Sequence, residues 1–190
     1  MREFVSRLRS SVYMAGNMQT FRANVGLAIV NVDFDVLALE RAIDHFDANG
    51  AAGLVGSGQW LMPQGGLRVG EEPAAAAVRV LGEELGLGNG DADLLFECPQ
   101  WLAYELPEET RSEDYGRGQV QKWFFLRLLA DASRIDLRGN GSGRAYHQYR
   151  WMSLAQLLNR TWRVRQPVYH TLLVELDRYK ARNGTNSWEI

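Results

Sequence analysis

Cysteine is almost absent from this chain of 190 residues: Cys98 is the only one. An intramolecular disulfide is therefore excluded, and so is a zinc site built from several thiolates. No apolar run reaches the length of a membrane span. The first residues, MREFVSRLRSSVYM, carry arginines but lack the continuous apolar stretch of a secretory signal. A cytoplasmic protein is the expectation. Net charge is only −2, which gives no sign of a surface that coats nucleic acid, and no DNA-binding motif is found.

What the chain holds instead is apolar and aromatic material, with 46% hydrophobic residues and six Trp. That composition argues against disorder, and the length suits one domain with one buried core. Residues 1–20 read as an N-terminal extension, 21–182 as the domain and 183–190 as a tail. Oligomeric state is not legible. Charge is distributed unevenly. Residues 1–133 hold 11 Lys/Arg against 19 Asp/Glu, whereas residues 134–190 hold 10 against 4. The basic C-terminal part suits an anionic ligand, and equally a basic outer helix face with no ligand.

Phe21 to Val30 is apolar on both faces, as a central strand should be. Asp33-Phe34-Asp35 reads as a turn and Val36 to Leu39 as a second strand ending at Glu40-Arg41. Residues 42–58 contain several glycines without a clean period and read as a long loop. Further strands are expected around Trp101 to Tyr104, over Val120 to Leu129, and over Tyr149 to Met152. Ser153 caps a helix from Leu154 to Asn159. Pro167 begins the last helix, with Val168, Leu172, Leu173, Leu176 and Tyr179 on its core face, and Asn183-Gly184 ends it. This is a mixed α/β arrangement with helices on both sides of a sheet.

The most informative stretch is WLMPQGGLRVGEEPAAAAVRVLGEELGL, Trp60 to Leu87. A strand end leads into a Pro-Gln-Gly-Gly turn, a short loop closed by Gly70, and a helix. Pro73 suits the first helical turn, and Glu71 and Glu72 lie near the positive end of the helix dipole. Gly86 stops the helix. Ala74, Ala77, Val78, Leu81 and Leu85 predict its buried stripe, leaving Val80, Glu83 and Glu84 clustered on the other face with Arg79 over Glu83. A glycine-rich turn beside adjacent carboxylates offers the hard oxygens that Mg2+ takes. A solvated helix face is the alternative for the Glu-Glu pair alone.

The whole stretch resembles the Nudix box, with Gly65, Glu71, Arg79, Leu81, Glu83, Glu84, Gly86 and Leu87 in register. FRANVGLAIVN, WLAYELP, GQVQKWFFL, and YRWMS followed by VRQPVY extend the similarity to the bacterial RNA pyrophosphohydrolase and diadenosine polyphosphate hydrolase branch. The resemblance implies a Nudix-type α/β/α sandwich with a mixed β-sheet. It implies hydrolysis of a pyrophosphate bond in a nucleoside diphosphate derivative, such as a 5′-triphosphorylated RNA end or a dinucleoside polyphosphate. It implies that the Gly65 carbonyl with Glu83 and Glu84 holds Mg2+ (or Mn2+), and that Glu71 pairs with Arg79 to fix the loop. Arg22, Arg41 and Lys122 match positions near the polyphosphate or 5′ nucleotide, and Gln64 belongs to the turn beside them. Tyr104 matches a tyrosine that stacks on a base, and Arg165 a cation near the last helix.

Two positions depart from the pattern. Val80 stands where the family carries a Glu that binds metal or acts as general base, and Ala145 stands where the branch carries a second acid. Two functions follow from these residues: a pyrophosphohydrolase lacking its usual base, or a degenerate domain that binds a nucleotide for regulation.

Overall fold

The computed structural model describes residues 19–41, 60–113, 115–138 and 146–184. The expectations for residues 1–18, for the loop 42–58, for Ala145 and for residues 185–190 fall outside them. The strands are β1 (Phe21–Val30), β2 (Val36–Arg41), β3 (Trp60–Leu61), β4 (Gln64–Gly66), β5 (Ala92–Glu97), β6 (Leu102–Glu105), β7 (Gly118–Leu128) and β8 (Tyr146–Met152). The helices are α1 (Pro73–Leu85), α2 (Leu154–Leu158) and α3 (Gln166–Asn183). All eight strands join one mixed sheet.

β1 lies at its centre, and residues 23 to 30, apolar or glycine apart from Asn24, are buried on both faces. It runs parallel to β7 over its whole length, from Phe21 opposite Gly118 to Val30 opposite Arg127. Near its start it also pairs antiparallel with β4, placing Val25 opposite Gly65. The Pro-Gln-Gly-Gly turn is thus itself a strand stitched to the middle of the sheet. β2 follows a tight turn in which the Asn31 side-chain oxygen accepts from the backbone N–H of Asp33 and of Asp35, each at 3.0 Å. The side chain stands in for a backbone turn.

Alternation along the strands sends side chains to two separate cores. One lies under α1, where Val25, Leu27 and Phe124 meet Ala77, Val80 and Leu81. The other lies under α2 and α3, where Ala28, Trp123 and Phe125 meet Leu157, Tyr169 and Leu172. Among the described residues no helix is long and apolar enough to cross a membrane.

Three elements differ from the expectation. The segment around residues 92–106 forms two strands rather than one, both paired with β7: β5 runs from Ala92 opposite Leu128 to Glu97 opposite Phe124, and β6 begins with Leu102 opposite Gln121. β8 starts three residues earlier than the sequence suggests and pairs with β2 across a bulge at Glu40/Arg41. The third difference concerns α1. Its buried residues are Ala76, Ala77, Val80, Leu81, Glu84 and Leu85, whereas Val78 is exposed and Ala74 faces solvent. The alanine run leaves the buried stripe poorly marked by composition, and packing rotates it by about one position. Val80 and Glu84 therefore face the sheet rather than water.

Candidate active site

α1 begins after an extended Glu72 and carries Pro73 in its first turn, where a missing N–H costs nothing. It ends at Gly86, whose left-handed φ of 67° lets its N–H donate to the Gly82 carbonyl. The helix holds Arg79, Val80, Glu83 and Glu84 of the box, and Arg79 ties it to the loop and the turn. Its Nε and Nη2 donate to the two oxygens of Glu71, both at 2.7 Å. Nη1 donates to Glu83 Oε2 at 2.7 Å, and Nη2 also reaches the Gly66 carbonyl at 2.8 Å. Glu71 Oε2 accepts in addition from the backbone N–H of Arg68 at 2.9 Å. One planar guanidinium thus ties the loop, the turn and the helix together. The Arg79 bonds hold the Glu71 carboxyl below the usual carboxylate range, although burial works the other way. The same pairing raises Arg79.

The two adjacent carboxylates differ in burial, Glu83 being half-buried and Glu84 buried. Glu83 spends both oxygens on cations, Oε1 on Arg68 Nη2 at 2.9 Å and Oε2 on Arg79. The Arg68 side chain is 62% exposed, so that pair contributes little and releases readily. Glu84 is only 2% exposed, and its Oε2 accepts from the Tyr146 hydroxyl at 2.7 Å.

Val80 has no exposed surface. A Cβ placed on Gly65 would stand 2.3 Å from Val80 Cγ2, closer than any real contact. The valine methyls therefore fill the space directly over the turn glycine, and glycine is required there by this contact rather than by backbone conformation. Among the described residues no group of three or more His, Cys, Asp or Glu is arranged to hold a metal. Two carboxylates and the Gly65 carbonyl remain. Those are hard oxygens, compatible with one magnesium-like ion that keeps several waters or takes phosphate oxygens.

The other expected residues divide into three groups. Arg22 is exposed at the start of β1, with its guanidinium near Gly66, and Arg41 ends β2 opposite Tyr146. Both lie beside the box. Gln64 is buried, and its Oε1 accepts from Gln121 Nε2 at 2.6 Å in a chain of amides that reaches Gln119. Its part here is to hold the turn to β7.

Lys122, Tyr104 and Arg165 are not surface groups. Lys122 is buried in mid-strand, where β5 has ended and β6 has not begun. It fills that gap by donating to the Cys98 carbonyl at 2.7 Å and pairing with Glu97 at 2.6 Å. Tyr104 packs in the α3-side core with the Arg165 guanidinium 5.7 Å over its ring. Trp162 covers Arg165 at 5.6 Å. Burial opposes the Arg165 charge, and the phenols of Tyr104, Tyr169 and Tyr146 more than offset it, so its proton is held more tightly than in water.

Tyr146 and Arg68 escape a reading of the sequence. Strict alternation back from Trp151 and Tyr149 would place His147 on the α1 face, and only the bulge puts Tyr146 there. Arg68 lies in the box loop with no periodic signal.

The fold and the box define a class, that of a Nudix pyrophosphohydrolase. The NUDIX domain family model matches residues 20–172, and the chain belongs to that family. It is 32% identical over 169 residues to the RNA pyrophosphohydrolase of Acidiphilium cryptum, covering 86% of this chain and 94% of that one. With the RNA pyrophosphohydrolase of Teredinibacter turnerae it shares 34% over 158 residues, covering 82% and 85%. The fold is similar to the E. coli dihydroneopterin triphosphate pyrophosphohydrolase, with a TM-score of 0.57 at 17% identity over 83% of this chain and 99% of that one.

Proposed function

We propose that this protein hydrolyses a pyrophosphate bond in a nucleoside diphosphate derivative with the help of a divalent cation, Mg2+ or Mn2+. The substrate class is a 5′-triphosphorylated RNA end or a dinucleoside polyphosphate. The observation that carries this reading is the Arg79 hub, which ties Glu71, the Gly66 carbonyl of the turn and Glu83 into one unit although Val80 stands in the place of an acid.

Gly65, Glu83 and Glu84 would hold the cation, which supplies neutralisation of charge developing on the phosphates. Arg22 and Arg41 add positive charge on either side of the box and suit an anionic polyphosphate. Relatives named RNA pyrophosphohydrolase support RNA or a nucleotide as the ligand. Absence of the Val80-position acid removes a general base, a loss of about 10²- to 10⁴-fold in rate. Slow turnover is the expected behaviour.

The test is release of pyrophosphate or mononucleotide from a panel that includes triphosphorylated RNA and diadenosine polyphosphates, with Mg2+ or Mn2+. Activity should vanish in the Glu83→Gln/Glu84→Gln variant. No turnover of any compound by the wild type would remove this reading. A second reading, nucleotide binding for regulation, draws on the complete burial of Val80 over Gly65. Ligand-induced stabilisation without turnover would favour it.

A further inference from the structure

Two arginines meet Glu83, and they are held very differently. Every nitrogen of the Arg79 guanidinium is engaged: Nε and Nη2 on Glu71, Nη1 on Glu83, and Nη2 also on the Gly66 carbonyl. Its side chain is 17% exposed. Arg68 makes one side-chain bond, from Nη2 to Glu83 Oε1 at 2.9 Å, and is 62% exposed. Arg79 is locked in place, whereas Arg68 touches the site through a single contact.

The backbone beneath Arg68 is nonetheless fixed. Its N–H donates to Glu71 Oε2 at 2.9 Å, and its carbonyl accepts from the Glu71 N–H at 3.1 Å. Glu71 is in turn clamped by Arg79. The Arg68 side chain therefore starts from an anchored point and ends beside Glu83 with most of its donors facing solvent.

An exposed ion pair of this kind shifts an equilibrium by about fivefold at most. It gives way to a divalent cation, for which a carboxylate oxygen is a natural ligand. Glu83 keeps its second oxygen on Arg79 meanwhile. The released guanidinium is a planar fork on a flexible stem, matched to phosphate oxygens. With Val80 in an acid's place, the box has one carboxylate fewer to recruit cations. More of the positive charge that a polyphosphate requires then falls to side chains.

We propose that Arg68 is a phosphate-binding residue held back by Glu83: it gives up Glu83 Oε1 when the divalent cation binds and turns its guanidinium to the polyphosphate. This rests on the metal-dependent reading above and adds a residue outside the box positions in register.

The test measures two equilibria. One is Mn2+ binding to nucleotide-free protein, followed by electron paramagnetic resonance of the free ion. The other is binding of a methylene-bridged, non-hydrolysable diadenosine tetraphosphate analogue in saturating Mn2+, followed by equilibrium dialysis. Wild type, Arg68→Gln, Glu83→Gln and Arg68→Gln/Glu83→Gln are compared, and a thermal melt in chelator checks that each is folded. Arg68→Gln should bind Mn2+ about two- to fivefold more tightly, because its competitor for Glu83 is gone. The same variant should bind the analogue about tenfold more weakly or worse, the scale of a charged hydrogen bond. In the Glu83→Gln background, removing Arg68 should leave Mn2+ affinity unchanged, because the competition runs through that carboxylate. Mn2+ affinity unchanged or lowered in Arg68→Gln overturns the inference, as does an equal gain in both backgrounds. Unchanged analogue affinity in Arg68→Gln, or a wild type that binds Mn2+ and not the analogue, overturns it too. Absence of Mn2+ binding by the wild type would instead remove the metal-dependent reading and the inference with it.

Discussion

Restoring the family acid at position 80 is the most revealing perturbation, because the structure predicts opposite effects on stability and on activity. Val80 is fully buried under α1, with a methyl against Gly65. Replacing it by Glu forfeits the burial of a valine side chain, about 1.5–3 kcal/mol. Two further heavy atoms must enter a filled space, at about 1–3 kcal/mol for overpacking. Part of this is relieved if the longer side chain slides past Gly65 toward the loop, so a net cost of roughly 2–4 kcal/mol is expected. For a chain of this size that lowers Tm by about 4–16 °C at ~2–4 °C per kcal/mol.

The sign changes when a divalent cation is added. A third carboxylate beside the Gly65 carbonyl tightens metal binding, and binding to the folded state alone raises stability. Mg2+ should therefore raise the Tm of Val80→Glu by more than that of the wild type. Turnover should rise by about 10²- to 10⁴-fold if the missing group is the general base. The assay pairs thermal melts in chelator and in Mg2+ with hydrolysis of triphosphorylated RNA. An unchanged Tm in chelator would refute the packing argument. A metal-induced shift no larger than wild type would refute the assignment of position 80 as a lost ligand.

Gly65→Ala should lower stability by about 1–3 kcal/mol through overpacking, and Val80→Ala should offset part of that loss. Chemical denaturation of both single variants and the double would show it, and strict additivity would speak against the contact. Glu71→Gln should cost about 1.5–3 kcal/mol, the scale of a charged hydrogen bond, read from urea denaturation. Because Arg79 lowers the Glu71 pKa in the folded state, its contribution is complete above the unfolded carboxylate pKa and is lost as pH falls through the folded one. The acid limb of a Tm–pH profile should accordingly be shallower in Glu71→Gln, and identical limbs would contradict this. Lys122→Met should mainly alter stability, since the amine is spent on Glu97 and the Cys98 carbonyl. A wild-type Tm with a large rise in KM would assign Lys122 to the substrate instead.

Much of this protein is legible in its amino acids because the signals are local. The apolar run Phe21–Val30 leaves no alternative to a central strand, and Pro73 and Gly86 bracket α1 through backbone geometry alone. The pairing of Glu71 with Arg79 is implied by the resemblance to the Nudix box, and both Val80 and the surviving Glu-Glu pair can be recognised without coordinates. Other features depend on distance in space rather than along the chain. The alanine-rich start of α1 carries too little contrast to say which side faces the sheet, so only packing decided that Val80 and Glu84 are buried and Val78 is not. What Lys122 touches is decided only where β5 and β6 leave the gap that it fills. Glu84 and Tyr146 are 62 residues apart and meet only because a bulge in the β2–β8 pairing reverses which side chains face the helix. Sequence determined the type of each local element and the chemistry of the box. Tertiary structure decided which of its acids is buried and what it rests against, since burial belongs to the assembled sheet and not to any one segment.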